Sequence, residues 1–336
     1  MTNKNNKHTR IFIAGGYGLV GSNMARLIRK VHPNVELTLA GRNPEKAHSL
    51  TNELGKADTA HLDLDKEVNA EGLADYDLII AALSDPAERL IEIVMNKQLA
   101  YIGISKLANE LAPFTFTALK NRPKQPFVLL GHWQAGVLTI VAQKEAESFE
   151  QIDSVKAVGF YDERDPIGPM VRNEMDGFTD RALVRKNRTW KWMDSKSNSR
   201  EFQLPDGRTA TGYPMASLDV PSLGSITGAP NVRFDFVQGE SIGSQAGKKA
   251  SHDLYIDIEG TLPSGKSAKR RTVISDPNGQ AHMTGLGVLA ATERVLGLDG
   301  QSPADGGIHL PETLIQPDDA INHFKEFGVN ITHSEL

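Results

Sequence analysis

The sequence predicts an α/β protein with an N-terminal doubly wound parallel sheet and a second, α+β domain on a mostly antiparallel sheet. Three observations predict it. Residues 11–22, IFIAGGYGLVGS, carry an apolar run into glycines at G-x-G-x-x-G spacing, and helix-compatible NMARLIRKV follows. Further apolar runs then alternate with helical stretches as far as about residue 135. From Asp153 onward, DSVKAVGFY, REFQL, VRFDFVQG, HDLYIDIEGT and KRRTVISD are shorter β-rich segments, partly alternating and separated by polar or Gly/Pro turns.

The first element has the order that a dinucleotide pyrophosphate needs. Gly16 permits a sharp turn, Gly18 lets backbone approach phosphate oxygens, and Gly21 lets the helix pack on the strand. The helix start adds free N–H groups and a partial positive charge, so Gly16, Tyr17, Gly18, Leu19 and Val20 are candidate phosphate contacts. VELTLAGRN reads as the second strand, ending in Gly41, Arg42 and Asn43. Arg42 stands about 20 residues past the last fingerprint glycine, where an acidic residue would hold the adenosine ribose of NAD. A guanidinium there suits a 2′-phosphate, which points to NADP(H); the other reading of Arg42 is a solvated turn residue.

NPEKAHSL begins a helix, with Asn43 able to cap it and Pro44 at its first position. THLDLD is the third strand, and Asp63 at its end either meets the adenine amino group or caps the next turn. YDLIIAALS is the fourth, a continuous apolar run suited to burial on both faces. Its end places Ala82, Leu83 and Ser84 where the nicotinamide half of the cofactor would pass. The helix AERLIEIVMNKQ leads to a fifth strand, LAYIGIS, and PFVLLGHW is a sixth.

The expected organisation is a nucleotide-binding domain over 9–135, rejoined by a helix over about 281–297 (within QAHMTGLGVLAATERVL, closed by Gly297). A second domain covers 136–280, and a tail over 298–336 packs on the first domain. Within the second domain NEMDGFTDRALVRKNRTWKWM is expected to start as helix. Trp190 and Trp192 face one way and line a pocket, an interface or a core.

Composition narrows the function classes. A chain of 336 residues with 39% hydrophobic and 24% charged residues and a net charge of −5 suits two soluble domains and offers no general nucleic-acid surface. The absence of cysteine excludes disulfides, thiolate catalysis and cysteine-ligated metal. The ten histidines show no metal-binding spacing, so no metal is expected. The first eight residues lack a signal peptide's apolar core, and no run approaches the roughly 20 residues of a membrane span, so a cytoplasmic location is expected.

Two rival motifs fit the sequence less well. Gly260–Ser267, GTLPSGKS, satisfies G-x-x-x-x-G-K-[ST] but lies between two strand-like segments, where a phosphate-cradling loop needs a helix at the lysine; a hairpin turn explains it better. Short-chain dehydrogenase chemistry needs a tyrosine with lysine four residues on, and none of the six tyrosines has one; Tyr101 and Lys106 miss by one.

The segments GGYGLVGS, LAGRNPEKA, ALSDP and YIGIS, with the ending GGIHLPETL…FKEFGVNI, resemble the saccharopine dehydrogenase-like oxidoreductases. The resemblance implies an NADP-binding Rossmann domain beside an α/β substrate domain. Gly103 and the run His132-Trp133-Gln134-Ala135-Gly136 depart from the family pattern, so the likeness bears on scaffold and cofactor rather than substrate. Hydride transfer needs position and a proton donor or acceptor. Lys106 and His132, each just past a strand, are the catalytic candidates, with ordinary loop residues as the other reading. Tyr161, Asp162, Arg164 and Asp165 form a polar cluster in which Arg164 and Tyr161 are substrate candidates, or an exposed turn. The function expected is NADP(H)-dependent oxidoreduction of a small carbonyl, imine or amino-acid-derived substrate between the domains. The alternative is a non-catalytic NADP(H)-binding sensor or scaffold. A homodimer is the expected assembly, with neither nucleic acid nor membrane as partner.

Overall fold

The computed structural model describes residues 9–66, 68–104, 111–169, 171–172 and 181–336, without the side chains of 111–113. Lys106 and the expected helical start over 173–180 lie outside the described residues. The chain forms two compact units. The first takes its described residues from 9–104, Leu111–Leu130 and Val288–Leu310; the second from Gly131–Gly287 and Pro311–Leu336.

The first unit is a seven-stranded parallel sheet. Its strands are β1 (Arg10–Ala14), β2 (Glu36–Gly41), β3 (Ala57–His61), β4 (Leu78–Ala81), β5 (Tyr101–Gly103) and β6 (Pro126–Leu129), with β15 (Gly307–His309) late in the chain. Their order, β15-β6-β5-β4-β1-β2-β3, reverses direction at β1, which pairs with β2 on one side and β4 on the other. Strands β1 and β4 are apolar and almost wholly buried, as a sheet covered on both faces requires. Helix α1 (Leu19–Val31) buries Met24, Ala25, Leu27 and Ile28 and exposes its polar side. Across β5 and β6, Tyr101 stacks on Phe127 with ring centres 4.4 Å apart. Tyr101 also explains the departure at Gly103: a Cβ there would lie 2.7 Å from its ring.

Two details differ from expectation. The helix after β2 opens as a 3-10 turn, Pro44–Ala47, before α2 (His48–Leu54), and the Asn43 side chain makes no capping bond. The β3–β4 connection carries only a short 3-10 turn, Glu71–Leu73, among the described residues.

The second unit is a nine-stranded mixed sheet. It contains β7 (Gln151–Tyr161), β8 (Arg181–Lys186), β9 (Thr189–Asp194), β10 (Arg200–Gln203), β11 (Thr209–Pro214), β12 (Asn231–Gln238), β13 (His252–Thr261), β14 (Ser267–Asp276) and β16 (Asn330–Glu335). Its pairings are antiparallel apart from β12 with β7. Val158, Phe160, Phe202, Val237 and Tyr255 form one buried cluster. Arg271, on β14, is buried and held by Asp257 through two 2.6 Å bonds, with its guanidinium 4.5 Å from the Phe202 ring centre.

The GTLPSGKS match is the β13–β14 hairpin. Leu262 N–H donates to Lys266 O at 2.9 Å, and Gly265 has φ +78°. The 181–194 stretch is also a hairpin. Trp190 and Trp192 lie on its outer strand, 44% and 46% exposed, so they are not core residues; Arg185 and Arg181 sit over their rings.

The expected boundaries need correction at both ends. The first unit stops at Leu130 rather than 135, because the following turn is tied into the second. The tail over 298–336 is divided, and Pro311–Leu336 belongs to the second unit. There β16 pairs along β14, and the helix Pro317–Glu326 buries Ala320, Ile321 and Phe324. The helix Gln280–Leu296 contains the later boundary, at 287/288.

Candidate functional site

The glycine turn follows β1 at the point where strand order reverses. Gly15 has φ +79°, and a Cβ on it would lie 2.5 Å from Ala82 O, so the turn runs close to the end of β4. A Cβ on Gly16 would meet Ile13 O at 2.8 Å, and one on Gly21 would meet Gly15 O at 2.1 Å. These contacts hold the α1 N-terminus tight against the strand. Gly18 is its N-cap and offers no side-chain acceptor, the first turn contains no acid, and the first helical bond is Ser22 N–H to Gly18 O. The N–H groups of Leu19, Val20 and Gly21 precede that bond, which leaves an uncapped positive helix end suited to phosphate.

At the end of β2 the Tyr17 ring lies over Gly41. The Tyr17 hydroxyl accepts from the Asn43 N–H at 2.9 Å. Arg42 is exposed, between these two residues in the chain. Asp63 lies past β3, where its Oδ1 accepts from Asp65 N–H at 3.2 Å and its Oδ2 is 3.3 Å from Lys66 Nζ. Those bonds, first the backbone one, hold its carboxyl below the usual range, against burial. Asp63 thus caps the next turn, and it also lines a cavity of about 310 Å³ with Leu62, Val68, Asn69 and Gly72. Ala82 and Leu83 are half-buried and Ser84 exposed past β4. The neighbouring Asp85 caps the helix Arg89–Lys97, accepting from Arg89 and Leu90 N–H at 3.0 and 2.9 Å.

The second unit has a polar cluster of its own, built on the turn after β6. Gln134 (φ 52°) and Ala135 (φ 51°) are left-handed, and Gly136 (φ +88°) follows. Consecutive left-handed residues with side chains persist only where surrounding bonds hold them. Here Asp219, fully buried, accepts from Trp133 N–H and from Thr139 Oγ1, each at 2.7 Å, and from Ser217 Oγ. The Trp133 ring fills the space that a Cβ on Gly159 would take. Its indole N–H reaches His252 Nε2 at 3.2 Å, and the Gln134 amide reaches the same atom at 2.8 Å. The other ring nitrogen, Nδ1, lies 3.4 Å from Asp165 Oδ2. Asp165 in turn accepts from Gln280 N–H at 2.8 Å.

No family model matches the sequence, and no curated protein matches it. Among solved structures, apo saccharopine dehydrogenase (L-Glu forming) from Saccharomyces cerevisiae is similar over 98% of this chain and 100% of that one. The TM-score is 0.74 at 11% identity. Homospermidine synthase from Legionella pneumophila, solved in complex with NAD, is similar over 98% of this chain and 91% of that one, with a TM-score of 0.66 at 12% identity. The chain has the saccharopine dehydrogenase-like fold.

Within the saccharopine dehydrogenase-like fold, the predicted residues fall into separate groups. Gly16, Tyr17, Gly18, Leu19 and Val20 share one strand-end surface with Gly41, Arg42 and Asn43, and Ala82 adjoins it through Gly15. His132 does not face solvent: its side chain is fully buried, with Nε2 2.8 Å from Ser222 Oγ and 3.9 Å from Glu312 Oε2. Arg164 does not offer a free carboxylate clamp, because its guanidinium lies 3.4 Å from Asp162 and 3.0 Å from Glu240. Tyr161 is half-buried, stacks on Phe236 at 6.1 Å, and has its phenol pKa pushed up by burial and then by Glu163 and Asp165. Sequence reasoning missed His252 and Asp219. Each sits in a strand or helix far along the chain from the turn it supports, and only the unusual HWQAG run hinted at that turn.

Proposed function

We propose that this protein is an NADP(H)-dependent oxidoreductase that transfers hydride to or from a small carbonyl, imine or amino-acid-derived substrate. The observation that carries this reading is the pairing of an uncapped, acid-free helix start with an exposed Arg42 one strand away. A pyrophosphate suits the first and a 2′-phosphate the second. The likeness to homospermidine synthase, which was solved with NAD, supports a dinucleotide. The nicotinamide, when bound, supplies or accepts the hydride. The residues of this chain bind and orient: Gly15 and Gly16 bring backbone close, Leu19 and Val20 donate N–H groups, and Arg42 holds the extra phosphate. The proposal includes action in the cytoplasm on a small molecule, and a homodimer as the assembly, which light scattering after size exclusion would test.

Calorimetry with NADPH and NADH tests the cofactor. NADPH binding is expected to exceed NADH binding, and Arg42→Ala should weaken NADPH about tenfold to a hundredfold while leaving NADH little changed. Equal loss for both would overturn the phosphate role, and no binding of either would overturn the whole reading. Oxidation of NADPH across keto acids with and without amines then tests catalysis. The enclosure of His132 favours a second reading, a non-catalytic NADP(H)-binding sensor, which binding without turnover on any such panel would support.

A further inference from the structure

The relation between Tyr17 and Gly41 goes one step deeper into the same site, and it rests on the NADP(H) reading above. A Cβ on Gly41 would lie 2.3 Å from the Tyr17 hydroxyl oxygen, 2.6 Å from Cζ and 2.9 Å from Cε1. The atoms met are the outer end of the Tyr17 side chain, so a side chain on residue 41 would require the ring to shift. The ring is held at both ends: its backbone belongs to the glycine turn, and its hydroxyl accepts the Asn43 N–H at 2.9 Å. Gly41 is the last residue of β2, directly before Arg42, at the strand end from which the adenosine ribose would be read.

We propose that Tyr17 is a specificity-determining residue for the cofactor. Its ring occupies the space that a carboxylate on residue 41 would need, so the end of β2 cannot recognise a free 2′-hydroxyl in the acidic manner. Its hydroxyl also fixes the Asn43 amide, and with it the backbone that carries Arg42 outward. With one lone pair taken by that amide, the phenol keeps its own proton to donate at the same surface. Discrimination is therefore encoded twice: by the cation that favours a phosphate, and by an aromatic plug that excludes the rival side chain. The plug comes from the glycine turn, not from the strand that carries the cation.

The test is a set of binding constants for NADPH and NADH, measured by cofactor fluorescence on the full chain. The set comprises wild type, Tyr17→Phe, Gly41→Asp and the double variant Tyr17→Ala/Gly41→Asp, each checked for folding by circular dichroism. Tyr17→Phe keeps the plug and loses the hydroxyl, so NADPH should weaken about threefold to tenfold with NADH still disfavoured. Gly41→Asp alone should weaken NADPH without gaining NADH, since the new carboxylate has no room. The double variant should bind NADH at least about tenfold better than Gly41→Asp does. If Gly41→Asp alone gains NADH as fully as the double variant, the plug is wrong. A Tyr17→Phe protein with unchanged NADPH affinity would remove the hydroxyl's part. A wild type that binds neither nucleotide overturns the cofactor reading and this inference together; a wild type that prefers NADPH, with variants that do not diverge, overturns this inference alone.

Discussion

His252 and Asp165 face each other at 3.4 Å, both almost fully buried, while the far side of the imidazole receives the Trp133 indole and the Gln134 amide. A histidine on β13 thereby holds two residues of a left-handed turn that its own strand does not contain. Removing the ring strands two N–H donors in a buried site. His252→Ala should therefore cost about 2–4 kcal/mol in urea unfolding. Ala135→Gly should be neutral within about 0.5 kcal/mol, because relief of the left-handed backbone offsets the lost methyl. A large loss for Ala135→Gly would show that the turn is not strained.

Gly21 gives a second expectation. Its missing Cβ would stand 2.1 Å from Gly15 O, backbone against backbone, where nothing flexible can yield. Gly21→Ala should destabilise the first unit by about 1–3 kcal/mol and abolish nucleotide binding together with it. Full stability in that variant would mean that α1 does not pack as described.

Acid should act through Asp162. Burial opposes its ionisation, but donors from Ser244, the Ser241 and Arg164 N–H groups and Ser241 Oγ hold the carboxyl well below the usual aspartate range. A depressed folded-state pKa gives stability that is complete above the unfolded value and lost as pH falls below it. With an ordinary aspartate at 3.8, that loss begins near pH 4 and deepens below it. Melting temperatures from pH 7 to pH 2.5 should show Asp162→Asn less stable at neutrality, by about 2–3 kcal/mol, and less sensitive to acid below pH 4. Parallel acid profiles for the two proteins would refute the assignment.

Lys266 should do nothing for nucleotides. It closes the exposed hairpin turn just before β14, with no helix beginning there. Lys266→Ala should leave NADPH affinity unchanged and stability within about 0.5 kcal/mol. ATP protection against thermal unfolding that vanished in this variant would reverse that conclusion.

The parts legible in the sequence were those whose physics is local. Glycine spacing, the buried runs LIIA and IFIA, and the hairpin around Gly265 each declare themselves within a dozen residues. Pairing between distant segments did not. The strand Gly307–His309 is three residues long and half-exposed, too short for any periodicity, so its place beside β6 went unread. β16 has one apolar residue, Ile331, and its pairing with β14 is a long-range one, so nothing in its own pattern points to the second sheet. At the end of β2, Arg42 is visible from its distance to the glycines, whereas Tyr17 over Gly41 is visible only in the fold. His132 follows β6, as the run PFVLLGHW indicates, but nothing in its sequence neighbours points to Ser222 beside it.

The strand β15 lies beside β6 although about 180 residues separate them, so the first sheet is not finished until most of the polypeptide exists. At typical synthesis rates the gap is roughly ten to forty seconds, during which the β6 flank stands open on the ribosome. A nascent chain in that condition invites chaperone capture, and an N-terminal fragment ending near residue 130 should behave as an adhesive intermediate rather than a free-standing module.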